Sequence, residues 1–201
     1  AGTGIGYTSL RVRGTDASRI NITADGIPMN DAESNQVYWV NIPDFASNLN
    51  SIQLQRGIGT STNGSGAFGA TVNMLTDGIS EKPFTRFDAS AGSYGTHKET
   101  LSFGTGLLND HWGLAGRLSN LGSDGYIRRA SAKLNSYFIQ AGYFGDNTVV
   151  KFITFNGTEK TYHAWDYTTE SDMKKYGRRY NPCGKYTAAD GSTEYYKNQT
   201  D

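Results

Sequence analysis

The chain has 201 residues, of which only 36% are hydrophobic and 25 are glycine, so it is not a core-rich helical protein. Lys plus Arg and Asp plus Glu balance at 19 each, so no net field draws the chain to nucleic acid. The single cysteine, Cys183, excludes an internal disulfide framework and a multi-cysteine metal site. Apolar runs are too short for a transmembrane helix. A membrane β-barrel is not excluded, because its strands alternate apolar and polar residues and are hydrophilic on average.

The first part of the chain, up to about residue 78, predicts a compact unit of short strands. Apolar and polar residues alternate in SLRVRG, RINITADGI, SIQLQRG and ATVNMLTD, which polar and Gly-rich connections separate. Helical periodicity is scarce and predicts one short turn in DFASNLNSI, near residues 44–52. The pattern therefore favours a mostly β unit.

Longer alternating segments follow GISEKP. Each is about ten residues long, the length that a tilted strand needs to cross a bilayer. In the second segment, Leu101, Phe103, Thr105 and Leu107 share one face, and the fifth segment is apolar on both faces. The five segments are FTRFDASAGSYG, KETLSFGTGLL, HWGLAGRLSN, KLNSYFIQAGYFG and TVVKFITFNG.

The connections between these segments alternate in length. LND at 108–110 and GDN at 145–147 predict tight hairpin turns, whereas the link at 121–130 and the Tyr-rich tail from 161 are longer. Outer-membrane barrels have short periplasmic turns and longer outer loops. A soluble β-sandwich uses the same period of two, however, so the pattern alone leaves both architectures open.

No motif in the sequence predicts catalysis. Gly64, Gly66 and Gly69 match the spacing of a dinucleotide loop, but a strand-like run follows them where that loop requires a helix. The three histidines are far apart, the nucleophile elbow of hydrolases is missing, and the carboxylates lack the spacing of a calcium loop. We therefore expect no enzyme activity, no cofactor and no resident metal.

Four motifs in order resemble the plug domain of TonB-dependent outer-membrane transporters. That pattern is an Arg-Gly strand, a strand and turn of the form DG-I/V-P, a second Arg-Gly strand, and a glycine loop that closes into N-x-x-T. Four linked motifs are far more specific than the glycine triplet alone. They lie at Arg13 and Gly14, Asp25 to Pro28, Arg56 and Gly57, and Gly66 to Gly69 with Asn73 and Thr76.

The resemblance implies the C-terminal part of an α+β plug domain over residues 1–80, and the first about five strands of a large antiparallel transmembrane β-barrel over 81–160. Residues 161–201 are then an extracellular loop. Five strands cannot close the roughly 22-stranded barrel of such transporters. An open edge in lipid would leave costly unpaired backbone groups, so the chain is expected to be a fragment of a longer protein.

The implied function is TonB-dependent uptake of a siderophore, haem, cobalamin or glycan across the outer membrane of a Gram-negative bacterium. The implied partners are TonB with ExbB and ExbD, outer-membrane lipid, a small-molecule or oligosaccharide ligand and, as a further option, a surface lipoprotein that caps the barrel. The alternative is a secreted or surface-exposed β-rich binding module without transport. The reading frame beyond the chain distinguishes the two hypotheses.

The resemblance also suggests binding residues, for which amides beside aromatic rings suit a ring-bearing or sugar-like ligand. Arg11, Arg13 and Arg56 are expected to pair with carboxylates on the inner barrel wall, because an unpaired buried charge is costly. Trp165 and Tyr167 would close over the ligand or join an aromatic girdle, and Trp39 has packing inside the plug as its alternative role. The substrate-binding candidates on the outward plug loops are Asn35, Gln36, Tyr38, Trp39, Thr60, Ser61 and Asn63.

Overall fold

The computed structural model describes residues 5–6, 8–57, 68–162 and 164–196. In this part of the chain the strands form sheets of four, five and two strands, which confirms the predicted mostly β fold. The strands β1 to β11 are, in chain order, Ile20–Ala24, Ile27–Pro28, Leu49–Arg56, Ala70–Thr76, Pro83–Ala91, His97–Leu108, Trp112–Ser123, Ala132–Phe144, Val149–Thr161, Lys185–Thr187 and Thr193–Tyr195. Helix α1 spans Glu170–Tyr176, and 3-10 turns cover Ala17–Arg19, Trp39–Asn41 and Phe45–Asn48.

The four-stranded sheet and its connections, described at residues 8–57 and 68–78, are called the N-terminal unit. The strand order is β2-β1-β4-β3, and β1 runs parallel to β4 while the other neighbours are antiparallel. Alternate side chains of β1 and β4 are apolar and point to one side, where they form the core of the unit. The buried set is Ile20, Ile22, Ala24, Ala70, Val72 and Met74.

The prediction of a strand over SLRVRG is wrong. Val12 and Thr15 form only an isolated bridge, and the Thr15 amide donates a 3.0 Å hydrogen bond to the Val12 carbonyl. Between them Arg13 and Gly14 have φ angles of 51° and 80°, so the chain reverses at this Arg-Gly pair. The helical turn predicted in DFASNLNSI is confirmed for Phe45–Asn48, after which the chain is extended.

Strands β5 to β9 form an antiparallel sheet in which each strand pairs with the next, called the meander. All five predicted segments are therefore strands. The turns at 109–111 and 145–148 define its short-turn end, and the links at 92–96 and 124–131 define its long-link end. The second link begins later than predicted, because β7 continues to Ser123.

The meander has an outer face that is apolar and exposed. Phe87, Leu101, Leu118 and Tyr137 lie side by side across β5 to β8. They are 66%, 37%, 46% and 38% exposed. The inner face, by contrast, packs on the N-terminal unit. This distribution is the reverse of a soluble sheet and is typical of strands that face lipid.

The alternation of β6 slips by one residue at a β-bulge. Gly104 pairs with Ala115 and Leu107 with Gly113, so β6 has one more residue than β7 in this interval. The extra residue is accommodated at Gly106, whose φ is 70°. Leu108 rather than Leu107 is therefore on the outer face, and the prediction that Leu107 shares a face with Leu101 is wrong.

Residues 164–196 fold back over the link at 124–131 and form the distal lobe. Arg179 Nε donates a 2.7 Å hydrogen bond to the Tyr126 carbonyl, and Asn181 Nδ2 donates to the Arg128 carbonyl at 3.0 Å. The guanidinium of Arg129 stacks on the ring of Tyr195, with 3.8 Å between the guanidinium carbon and the ring centroid. The lobe is thus held to the meander at its long-link end.

Candidate functional site

The N-terminal unit meets the inner face of the meander at Asp44. One carboxylate oxygen accepts hydrogen bonds from Arg117 Nη1 and Ser119 Oγ, both at 2.6 Å. The other accepts from Lys98 Nζ at 2.8 Å and from Ser47 Oγ at 2.6 Å. A carboxylate of the N-terminal unit therefore binds two cations and a hydroxyl of the meander, an arrangement called the Asp44 hub.

The hub is buried as well as charged. The side chains of Asp44 and Arg117 are only 12% and 8% exposed. Arg117 uses its remaining donors on Asn48 Oδ1, at 2.6 Å, and on the Asp44 carbonyl, at 2.9 Å. Since an unpaired buried guanidinium would be costly, the hub fixes how the two sheets sit against each other.

The hydrogen bonds also set the protonation of Asp44. Burial raises the pKa of the carboxyl, but the hydrogen bonds from Lys98, Ser119, Ser47 and Arg117 together outweigh burial and lower the pKa to about 2. The backbone of Asp44 has φ 56°, in the left-handed region that Asp tolerates better than most residues. The carboxylate stays ionised throughout the physiological range.

A second, apolar contact lies beside the hub on β8 and β9. The ring of Phe45 lies 5.0 Å from that of Phe155, which stacks 6.4 Å from Phe138. Pro43 packs closely on Gly157. A Cβ at this position would clash with Pro43 and would also lie 2.7 Å from the Asn135 carbonyl oxygen, so the contact requires glycine. The fifth segment is apolar on both faces because its inner side joins the core of the N-terminal unit.

The arginines expected at this interface lie elsewhere. Arg11, Arg13 and Arg56 are exposed, and none forms an ion pair with another described residue. At the observed contact the charges are distributed the other way round, with the carboxylate on the N-terminal unit and the cations on the meander. The three arginines keep their expected role only as a prediction.

The structure brings four of the predicted binding residues onto one ordered loop. Asn30 Oδ1 accepts from the Ile22 amide at 2.8 Å and its Nδ2 donates to the Asn35 carbonyl at 2.9 Å. Asp31 closes a turn by accepting from the amide and hydroxyl of Ser34, both at 2.8 Å. These bonds fix the backbone that carries Asn35, Gln36, Tyr38 and Trp39.

The two aromatic residues of this loop differ in exposure. Tyr38 is 51% exposed, whereas Trp39 packs against the core of the N-terminal unit. Trp39 also lines a cavity of about 510 Å³ between the unit and the meander, together with Leu121, Leu134 and Glu159. Because those residues lie near the long-link ends of β7 to β9, the loop lies toward the long-link end.

The remaining predicted residues are divided between two regions. Thr60, Ser61 and Asn63 lie outside the described residues. In the distal lobe Trp165 is 51% exposed and Tyr167 fully exposed. The sulfur of the buried Cys183 accepts from the backbone amides of Trp165 and Asp166, at 3.2 and 3.3 Å, so this cysteine helps to hold the segment.

The hub residues were missed by the sequence reasoning, although a signal for them exists. Arg117 interrupts the middle of an alternating strand, and Lys98 begins another, on the polar faces. A cation in the middle of a membrane-spanning strand requires a partner. Asp44 follows a proline in a non-repetitive segment, and only the tertiary fold shows that it is that partner.

Two further findings concern chemistry and membrane helices. Across the described ranges no three His, Cys, Asp or Glu side chains come close enough to hold a metal ion. In the same ranges no helix is long and apolar enough to span a membrane.

Comparison with known proteins identifies the N-terminal unit. Residues 1–71 match the family described as TonB-dependent Receptor Plug Domain. Residues 1–71 are therefore similar to a TonB-dependent receptor plug domain, and the N-terminal unit is called the plug domain from here on. The match covers β1 to β3 and the start of β4, together with the Asp44 side of the hub. No curated protein sequence matches the chain.

Solved structures show the same fold for the plug domain and meander together. The pyoverdine outer membrane receptor FpvA from Pseudomonas aeruginosa PAO1 is 14% identical, with a TM-score of 0.60 over 80% of this chain and 24% of its own. The copper transporter OprC is 20% identical, with a TM-score of 0.61 over 78% and 27%. The ferric-catecholate import receptor Fiu from E. coli K12 is 16% identical, with a TM-score of 0.61 over 78% and 23%.

The chain therefore spans about a quarter of the length of the receptors that it matches. At these identities the likeness shows the fold of a plug followed by the first strands of an antiparallel barrel. The three matched proteins are named as receptors or a transporter. The meander, whose five strands are an open sheet, corresponds to the beginning of the barrel wall.

Proposed function

We propose that the protein takes up a scarce nutrient across the outer membrane of a Gram-negative bacterium, using energy delivered by TonB. The carrying observation is the Asp44 hub, in which a plug domain is fixed to the inner face of a sheet whose outer face is apolar. A binding module without transport has no need for an exposed apolar face on the far side of the sheet.

The orientation follows from the connections. The short-turn end lies on the periplasmic side, and the long-link end with the distal lobe lies outside the cell. Trp112 and Tyr143, whose rings are 4.8 Å apart, mark the periplasmic interface with aromatic side chains. On this orientation the loop that carries Tyr38 faces the outside, where a ligand arrives.

Polar contacts suit a plug that has to move. Hydrogen-bonded ion pairs can be exchanged for water when the plug shifts, whereas a wholly apolar interface would expose its surface at a cost of about 25 cal/mol per Å². We infer that TonB, with ExbB and ExbD, acts on the plug and that the hub separates during transport. A surface lipoprotein remains a further proposed partner at the distal lobe.

The ligand class is a siderophore, haem, cobalamin or glycan. Siderophore uptake is supported by the likeness to FpvA and Fiu, whose names describe a pyoverdine receptor and a ferric-catecholate import receptor. We propose Asn35, Gln36 and Tyr38 as ligand contacts, and Trp39 as the residue that fixes Tyr38. Thr60, Ser61 and Asn63 are proposed for the second plug loop, and Trp165 and Tyr167 for the outer side.

The transport proposal is tested with the full-length protein in its cells. Uptake of labelled ferric siderophore, haem, cobalamin and oligosaccharide is measured with and without TonB, and the protein is located by membrane fractionation. We expect outer-membrane location and uptake of one ligand that stops without TonB. Equal uptake without TonB, or recovery of the full-length protein in the soluble fraction, would contradict the proposal.

The binding residues are tested by direct titration of the ligand found in that assay. Tyr38→Ala is expected to weaken binding about tenfold, because one exposed ring contact is worth roughly 1.4 kcal/mol, and to leave the melting temperature unchanged. Trp39→Ala should lower the melting temperature as well, since Trp39 packs on the core. Wild-type affinity in Tyr38→Ala would remove this loop from the ligand site.

A further inference from the structure

Two lysines lie directly opposite each other on the outer face of the meander. Lys133 of β8 pairs with Lys160 of β9 in the antiparallel register, and both are exposed. The adjacent residues Ala132 and Thr161 are buried and point to the inner side. Successive residues of a strand alternate between faces, so both ammonium groups are on the outer side.

This pair lacks a counter-ion in the described part of the protein. Like charges opposite each other on one face of an antiparallel pair destabilise the sheet. No described residue forms an ion pair with either lysine. Within the described strands the outer face carries one carboxylate, Glu99 on β6, which is two strands from β8 and about 10 Å away. An anion from outside the meander would relieve the repulsion.

The height of the pair places it at the membrane surface. Tyr143, which belongs to the aromatic group at the short-turn end, lies ten residues along β8 from Lys133. Ten residues span about 33 Å along a strand, and a tilt of about 40° turns this into a rise of about 25 Å. That rise equals the height of the apolar band of a membrane barrel, so the lysines lie at the outer-leaflet headgroups.

The residues below the lysines change from polar to apolar. Asn120 and Asn135 come next on the same face, joined by a 2.7 Å hydrogen bond. Leu118 and Tyr137 follow one step lower. Ammonium groups above amides above apolar side chains complement an amphiphile with a phosphate, a sugar and acyl chains, in that order.

We propose that Lys133 and Lys160, with Asn120 and Asn135, bind the phosphorylated sugar headgroup of an outer-leaflet glycolipid. The lysines bind the phosphate, the amides bind sugar hydroxyls, and the acyl chains lie on Leu118 and Tyr137. This inference rests on the outer-membrane location proposed above, but not on TonB-dependent transport or on the identity of the nutrient.

The test uses the full-length protein in detergent and bisphosphorylated lipid A as the ligand, with bound lipid counted by native mass spectrometry. Lys133→Gln/Lys160→Gln should bind about thirtyfold more weakly, because each lysine contributes a factor of about five to the affinity for an anionic headgroup and the two factors multiply. Lys82→Gln/Lys151→Gln is the control, because it removes the same charge from two exposed lysines that lie near the short-turn end. The control should bind like wild type.

Three results would overturn the inference. The first is wild-type lipid binding by Lys133→Gln/Lys160→Gln. The second is a failure to discriminate between ligands. Equal binding of inorganic phosphate and lipid A would indicate a small-anion site, and equal binding of dephosphorylated and phosphorylated lipid A would show that the lysines do not bind phosphate. The third is a fall in melting temperature of the double variant without lipid, which would indicate pairing with a carboxylate elsewhere in the protein.

The two proposals fail separately. Lipid binding that depends on the two lysines, in a protein that shows no TonB-dependent uptake, would contradict the transport proposal and support this inference. TonB-dependent uptake with lysine-independent lipid binding would do the reverse.

Discussion

The N-terminal unit and the meander are both built from alternating strands, but they bury opposite sets of residues. In the unit, the apolar side chains of β1 and β4, such as Ile20 and Val72, point inward and are buried. In the meander, Phe87 and Leu118 point outward and are exposed, while Arg117 and Thr100 are buried on the inner face. The difference is the one expected between a sheet that folds against water and a sheet that faces lipid, as proposed above.

The inner face of the meander contacts the plug domain in two different ways. Its β6 and β7 side holds the plug domain by the charged Asp44 hub, and its β8 and β9 side holds it by Phe138 and Phe155. A charged contact and an apolar contact respond differently to substitution and to pH. Four predictions use these differences, from the largest expected effect to the smallest.

Asp44→Asn should have the largest effect. The substitution leaves Arg117 buried without a carboxylate, which we expect to cost about 3 kcal/mol of unfolding free energy. Asn tolerates the left-handed backbone of Asp44, so the loss is electrostatic. Chemical unfolding of the full-length protein in detergent measures the effect, and Asp16→Asn, at an exposed carboxylate, is the control. A loss below about 0.5 kcal/mol would mean that the hub is not what holds the plug.

Phe87→Arg tests which face of the meander meets lipid. A cation on the lipid side near the middle of the apolar band should cost about 2 kcal/mol in reconstituted vesicles. Ser90→Glu, which puts a charge on the inner face of the same strand opposite Lys98, is the control and should be close to neutral. If the two variants reverse this order, the assignment of the faces is wrong.

Acid should weaken the charged contact and spare the apolar one. Asp44 has a pKa of about 2 in the folded protein and an ordinary value of 3.8. Because the folded pKa is the lower of the two, its stabilisation is present above about pH 4 and is lost as the pH falls through about 2, amounting to roughly 2 kcal/mol. The difference in unfolding free energy between wild type and Asp44→Asn should therefore shrink over this window. A constant difference down to pH 2 would contradict the pKa shift.

Gly106→Ala tests the bulge that places Leu108 on the outer face. The φ of 70° and a Cβ only 2.8 Å from the Glu81 carbonyl should cost about 1 kcal/mol. Gly78→Ala is the control, since a Cβ there meets no atom within 4 Å. Thermal unfolding of both variants measures the effect, and equal melting temperatures would show that the bulge does not need glycine.

The sequence predicted much of the fold and less of the site. The five long strands, both tight turns and the helical turn at Phe45–Asn48 follow from periodicity, which is a local property. The expected strand at SLRVRG was wrong because the chain turns at Arg13 and Gly14, and an alternation of apolar and polar residues does not predict their left-handed conformations. The face of Leu107 was wrong for a similar reason, since a single extra residue in a bulge reverses the alternation beyond it.

By itself the sequence determined the fold class, a mostly β chain that resembles a plug domain followed by barrel strands. Strand length, alternation and the order of the Arg-Gly, DGIP and glycine-loop motifs are all properties of short segments of sequence. Only the tertiary structure decided which charges meet. Asp44 is separated by more than fifty residues from Lys98 and by more than seventy from Arg117. Whether a polar residue on a strand is a solvated side chain or half of a buried ion pair depends on what the fold brings opposite it, and that is a property of the packed sheets rather than of any segment.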